Sequence, residues 1–134
     1  MTSNDIILFL INIIHILVII FVVIAPFTNS NLFLLLHSIV VPFIMIHWIL
    51  NNDTCAITLM EKYVRIQMNG GDYVDDKDCI SYKVIGPIYN FMNEHVDYSR
   101  WTWIMTSMLW FVTLYKLRVK YINDDLPEIK NLIK

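Results

Sequence analysis

Apolar and polar positions alternate along this chain in long blocks rather than with a single helical or strand period. From Ile6 to Phe27 no side chain is charged, and only Asn12 and His15 interrupt the apolar run. About 20 apolar residues at ~1.5 Å rise per residue match the ~30 Å hydrocarbon core of a bilayer. This block predicts a first membrane span over 6–27. Pro26 and the polar stretch Thr28-Asn29-Ser30-Asn31 break it. A second apolar block over 32–50 carries His37, Ser38, Pro42 and His47. It is long enough to cross, and Pro42 predicts a kink. So short a link makes the two an antiparallel hairpin.

The pattern then becomes amphipathic. Asn51-Asn52-Asp53-Thr54 is rich in helix N-cap residues, with Asp53 or Thr54 expected as the cap. Over 54–68, Thr58, Glu61, Lys62, Arg65 and Asn69 form a polar stripe, while Ile57, Met60, Val64 and Met68 form an apolar one. Glu61 and Arg65 are expected to pair at the interface, worth only ~0.3–0.5 kcal/mol if exposed. Asn69-Gly70-Gly71 predicts the helix stop. After an acidic loop, Val84, Ile85, Ile88, Phe91 and Met92 recur at helical spacing. They predict a second interfacial helix over 86–95, with Pro87 in its first turn.

The last apolar block centres on Trp101–Tyr115 and is short for a span. Arg100, Lys116 and Arg118 can snorkel from its ends, and Trp101, Trp103 and Tyr115 suit the two interfaces. It predicts a third span over 101–117, followed by a polar tail over 118–134 with a short helix after Pro127. The expected fold is therefore all-α: one integral membrane domain over 1–134, with three spans and two interfacial helices.

Composition agrees. Of 134 residues 57% are hydrophobic, and the mean hydropathy is +0.54. The net charge of −2 gives no basic surface for nucleic acid. Residues 1–5 hold no Lys or Arg, and Ala25-Pro26-Phe27 is a poor cleavage site, so an uncleaved span is expected rather than a signal peptide. With three spans, five Lys or Arg fall on each side. Lys116, Arg118 and Lys120 abut the third span, whereas the Lys and Arg of the long loop sit among eight acidic residues counted from Asp53 to Asp97. The positive-inside rule then places the C-terminus in the cytoplasm.

Candidate chemistry is sparse. Counted from the far ends of the hairpin, His15 and His37 differ by about three residues, or ~4.5 Å. They are expected to hydrogen-bond within the bundle, with Asn12 and Ser38 as partners; the alternative is a paired-imidazole haem site. Cys55 and Cys79 fall in one extramembrane region, as a disulfide or as two free thiols. Asn52-Asp53-Thr54 fits the glycosylation pattern but abuts the second span. No nucleophile elbow, phosphate loop or zinc spacing occurs, so no catalytic, metal or cofactor residue is assigned.

One segment is more specific. His47, Trp48, Asn51, Asn52, Cys55, Thr58, Glu61 and Arg65 occur together in HWILNNDTCAITLMEKYVR. It resembles a segment of small multi-spanning membrane proteins of large double-stranded DNA viruses. It is also similar to an uncharacterised bacterial inner-membrane family with a Cys-x-Leu-Thr-x-x-Glu-x-x-Leu-Arg core, from which Ile57 and Val64 depart mildly. The resemblance implies a viral membrane protein, of a virion inner membrane beneath a capsid; the absence of catalytic constellations and the three-span plan lead to a non-enzymatic protein that anchors or organises an assembly. Its expected partners are the lipid bilayer and other membrane or capsid proteins, with no small-molecule substrate. The other readings are a small redox or haem protein using His15 and His37, and a subunit of an oligomeric transporter.

Overall fold

The computed structural model describes residues 2–92 and 96–123. Its helices are α1 (Ser3–Ile24), α2 (Asn31–Leu50), α3 (Ala56–Met68), α4 (Ile80–Met92) and α5 (Tyr98–Ile122), with 3-10 turns at Ala25–Phe27 and Asp76–Asp78. No strand occurs among the described residues. The expected helix residues 93–95 and the short helix after Pro127 lie outside them.

Local chemistry sets the ends. Thr2 and Asp5 form a reciprocal capping box on α1. The stop after α3 is a Schellman motif: Gly70 takes φ 71°, and the Gly71 N–H reaches back to the Ile66 carbonyl at 2.9 Å. The α3 N-terminus departs from expectation. Cys55 occupies the cap without a side-chain bond. Asp53 sits at φ 61° and its carboxylate accepts from Trp103 Nε1 at 2.9 Å. Helix α4 starts six residues earlier than expected, at Ile80 rather than Gly86, so Pro87 lies inside it rather than in its first turn.

Two helices, Ser3–Phe27 and Asn31–Leu50, are long and apolar enough to cross a membrane, with mean hydropathies of 3.3 and 2.2. The sequence pattern suggested three. Helix α5 is the longest, but its Trp, Tyr, Thr and Ser content and four cations (Arg100, Lys116, Arg118 and Lys120) dilute its hydropathy.

The joined helices are not the main packing partners. Helix α2 packs chiefly on α5, and α1 chiefly on α3 and α4. Helices α2 and α5 run antiparallel and level. Trp48 meets Trp103 edge-on at 5.4 Å between centroids. Trp110 reaches the Ser38 carbonyl at 3.1 Å. At the turn, Lys116 Nζ donates to Thr28 O at 3.2 Å and Lys120 Nζ to Asn29 O at 2.6 Å. The α1–α2 hairpin is closed near this turn, where Phe21 touches Phe33 and His37. It opens towards the other end, where α4 and the first half of α5 enter.

Both prolines of the hairpin leave a carbonyl without its helical donor, because proline has no N–H to give to residue i−4. In each case a side chain supplies one. Pro26 leaves Val22 O, which accepts from His37 Nε2 at 3.0 Å. Pro42 leaves Ser38 O, which accepts from Trp110 Nε1. Donation from Nε2 makes Nδ1 of a neutral His37 the acceptor, and the Thr113 hydroxyl donates to it at 2.9 Å.

Candidate functional site: a buried carboxylate beside an apolar cavity

Helix α3 is inverted relative to the expected interfacial helix. The centre of its polar stripe turns inward: Glu61 is 0% exposed, Thr58 is buried with it, and Lys62 and Arg65 are half-buried, while Gln67 and Asn69 at the C-terminal end stay exposed. Its apolar and aromatic positions turn outward, Met60 at 58% and Tyr63 at 66% exposure. Leu59 and Met68 are also exposed. On helix α4, Ile88, Phe91 and Met92 are exposed, as are Lys83 and Asn90, while Gly86 is buried.

The inward stripe builds a network around Glu61. Arg65 approaches Glu61 Oε1 with Nε at 2.9 Å and Nη2 at 2.8 Å. The Ile80 N–H, in the first turn of α4, donates to both carboxylate oxygens at 3.0 and 3.1 Å. A side chain 19 residues away thus satisfies an N–H that a local cap normally would, and its charge suits the helix dipole. The turn that delivers Ile80 is itself clamped to α3 by Lys62 and Asp76, 2.5 Å apart. From α1, His15 Nδ1 approaches Glu61 Oε2 at 3.9 Å, beyond hydrogen-bond length. His15 is 3% exposed, and its Nδ1 and the Oδ1 of neighbouring Asn12 are buried without a hydrogen-bond partner.

Next to this network lies a cavity of about 630 Å³, lined from α1, α2, α4, α5 and the 52–58 segment. His15, Thr58 and Ser81 contribute its polar wall, and Val22, Ile44 and Leu109 are among its apolar ones. Thr58 and Ser81 hydroxyls stand 3.5 Å apart.

The resembling segment divides in two. Thr58, Glu61 and Arg65 belong to this network, and Cys55 lines the cavity. His47, Trp48 and Asn51 instead finish α2: Asn51 Nδ2 donates to His47 O at 2.8 Å, while Trp48 packs on Trp103. Asn52 is an exposed turn residue at φ 49°.

One expectation about the histidines needs correction, and of the two cysteine alternatives one is present. His15 and His37 do not share partners. His37 is level with Val22, seven residues or about 10 Å along α1 from His15. Both its nitrogens are engaged. The hairpin register is set at the turn, not at the far ends from which the depths were counted. A paired-imidazole haem site does not form. Cys55 and Cys79 are free thiols rather than a disulfide. Cys79 is buried, and its Sγ–H donates to Asp75 O at 3.8 Å. Burial, followed by the Glu61 charge, pushes its thiol up to about 11. Because the thiolate is the nucleophile, Cys79 should resist maleimide at pH 7.5. Labelling of the native protein should reach Cys55 alone and become two per chain only after denaturation. Two rapid labels on native protein would contradict the burial of Cys79.

No family model matches the chain, and no curated protein or solved structure matches it.

Proposed function

We propose that this chain is a non-enzymatic, multi-pass membrane protein that anchors or organises an assembly in its bilayer. The observation that carries the reading is the inversion of α3, with polar residues inside and apolar residues outside. Water as the surrounding solvent favours the opposite arrangement, and lipid favours this one. The two apolar helices support it, since only 11% and 17% of their most apolar stretches are buried, unlike core helices of a soluble domain.

Packing, rather than hydropathy, supports a third crossing by α5. Helix α5 is level with α2 from Trp103 to Lys120, so a bilayer that contains α2 contains α5 as well. Its polar positions are satisfied inside: Thr113 on His37 and Thr102 on its own backbone. The two ends then differ in charge. Lys116 and Lys120 lie at the α1–α2 turn, and Asp72, Asp75, Asp76 and Asp78 lie at the opposite end, which gives partners two unlike faces and favours a cytoplasmic turn. The resemblance of residues 47–65 suggests the inner membrane of a large DNA virus as the setting.

Alkaline carbonate extraction and in-membrane crosslinking of the full chain test this reading. The chain should stay in the membrane pellet and crosslink to a recurrent, stoichiometric partner. Release into the supernatant, or recovery as a lone monomer with enzymatic turnover, would contradict it.

A further inference from the structure

We infer that the cavity between α1, α2, α4 and α5 is a binding site for an uncharged single-chain lipid with a free hydroxyl head, of the monoacylglycerol class. The inference goes beyond anchoring and does not depend on which assembly the chain joins.

Shape and wall chemistry carry it. The cavity is about 630 Å³, within the ~300–1,000 Å³ range of small-molecule sites. Its α1 wall runs from His15 to Ile24, nine residues or about 13.5 Å. Along this length Val18, Val22, Ile44, Ile85, Met105 and Leu109 present hydrocarbon. A chain of methylenes fits such a wall; a polar metabolite does not.

The polar end selects the head group. His15 is 3% exposed and lies in the cavity wall, with its Nδ1 on the Glu61 side of the ring. The Glu61 carboxylate 3.9 Å away favours a proton on Nδ1, which leaves the other ring nitrogen an acceptor. An acceptor of this kind takes an O–H. Thr58 and Ser81 stand in the same wall, their mutual bond at the 3.5 Å limit, and can serve a second head-group oxygen.

Charge excludes the common alternatives. Among the described residues no Lys or Arg lines the cavity, whereas Asp53 and Asp76 do and Glu61 stands behind His15. A fatty-acid carboxylate or an anionic phospholipid head would meet only like charge there. Asp76 is paired with Lys62, and Asp53, at the mouth of the cavity, is held by the Trp103 indole away from the His15 end where the head group binds.

Trp48 and Trp101 line the cavity and report its occupancy. The probe is 9,10-dibromostearoylglycerol added to the purified full chain in micelles, with tryptophan fluorescence as readout. Quenching should be saturable and reversed by unbrominated 1-oleoylglycerol. Dibromostearate, which is anionic, and methyl dibromostearate, which lacks the O–H, should show only the non-saturating quenching of micelle partition. His15→Leu should weaken the saturable component ~5-fold or more, the loss of about one hydrogen bond. Ile85→Phe, on the α4 wall and away from Glu61, should weaken it by narrowing the cavity against the acyl chain, which keeps the test decisive if His15→Leu fails to fold. Equal quenching by all three probes, failure of 1-oleoylglycerol to compete, or unchanged saturable quenching in Ile85→Phe would overturn the assignment.

Discussion

Glu61→Ala is expected to abolish stable accumulation of the protein, while Met60→Ala, one residue away, leaves it nearly unchanged. Glu61 is fully buried and holds three partners at once: Arg65, the Ile80 N–H and, at longer range, His15. Truncating it strands a guanidinium whose side chain is only 23% exposed and a helix N-terminus without its cap. Breaking one partner of a buried ion pair costs ~3–5 kcal/mol, a large fraction of the ~5–15 kcal/mol that stabilises a typical protein. Met60 points outward and has no such partner. Glu61→Gln should be intermediate, since the amide oxygen still accepts from Ile80 but leaves Arg65 without a counter-charge. Removing both charges as Glu61→Met with Arg65→Met should recover part of the loss, because a buried pair is often replaceable by apolar residues of similar volume. Detergent-resistant monodispersity and limited proteolysis across α3 and α4 measure each case. An Ala variant as stable as the parent would mean that the carboxylate is a spectator.

The second large effect concerns the prolines. Trp110→Phe should cost ~1–3 kcal/mol, because it strands the Ser38 carbonyl that Pro42 has already deprived of its helical donor. In a Pro42→Ala background the new N–H at position 42 can serve Ser38 O. The same Trp110→Phe change should then cost markedly less. The equivalent pair is His37→Leu with and without Pro26→Ala, through Val22 O. Thermal unfolding of the four variants in each cycle gives the coupling energy, expected at ~1 kcal/mol or more. Strict additivity would show that the side-chain donors do not stand in for the missing backbone groups.

These two features mark where the sequence was legible and where it was not. The apolar blocks that became α1 and α2 were readable from length and the absence of charge, and Asn69-Gly70-Gly71 was readable as a stop because only an αL position explains two glycines there. The helical period of residues 54–68 was also correct, but its direction was not. An amphipathic period says which residues share a face; whether that face turns in or out depends on whether water or lipid lies outside. Glu61 was therefore read as one half of an exposed pair, and its bond to the Ile80 N–H, 19 residues on, left no local trace. Trp110 and Thr113 were not singled out in the sequence. A usable signal existed: each hairpin proline leaves a carbonyl four residues earlier that a buried donor has to meet. His15 and His37 were brought to one depth by counting from the open end of the hairpin, although the short turn fixes the register at the other end.

Sided labelling of single cysteines measures the membrane reading most directly. Asn29→Cys, Tyr73→Cys, Asp97→Cys and Asn123→Cys each place a thiol at an exposed position beyond a helix end. In a Cys55→Ser background, with Cys79 buried, an impermeant maleimide should label positions 29 and 123 from one face of sealed vesicles and positions 73 and 97 from the other. Labelling of positions 97 and 123 from the same face would contradict a crossing by α5, and labelling of 29 and 73 from the same face would contradict the membrane-spanning hairpin itself.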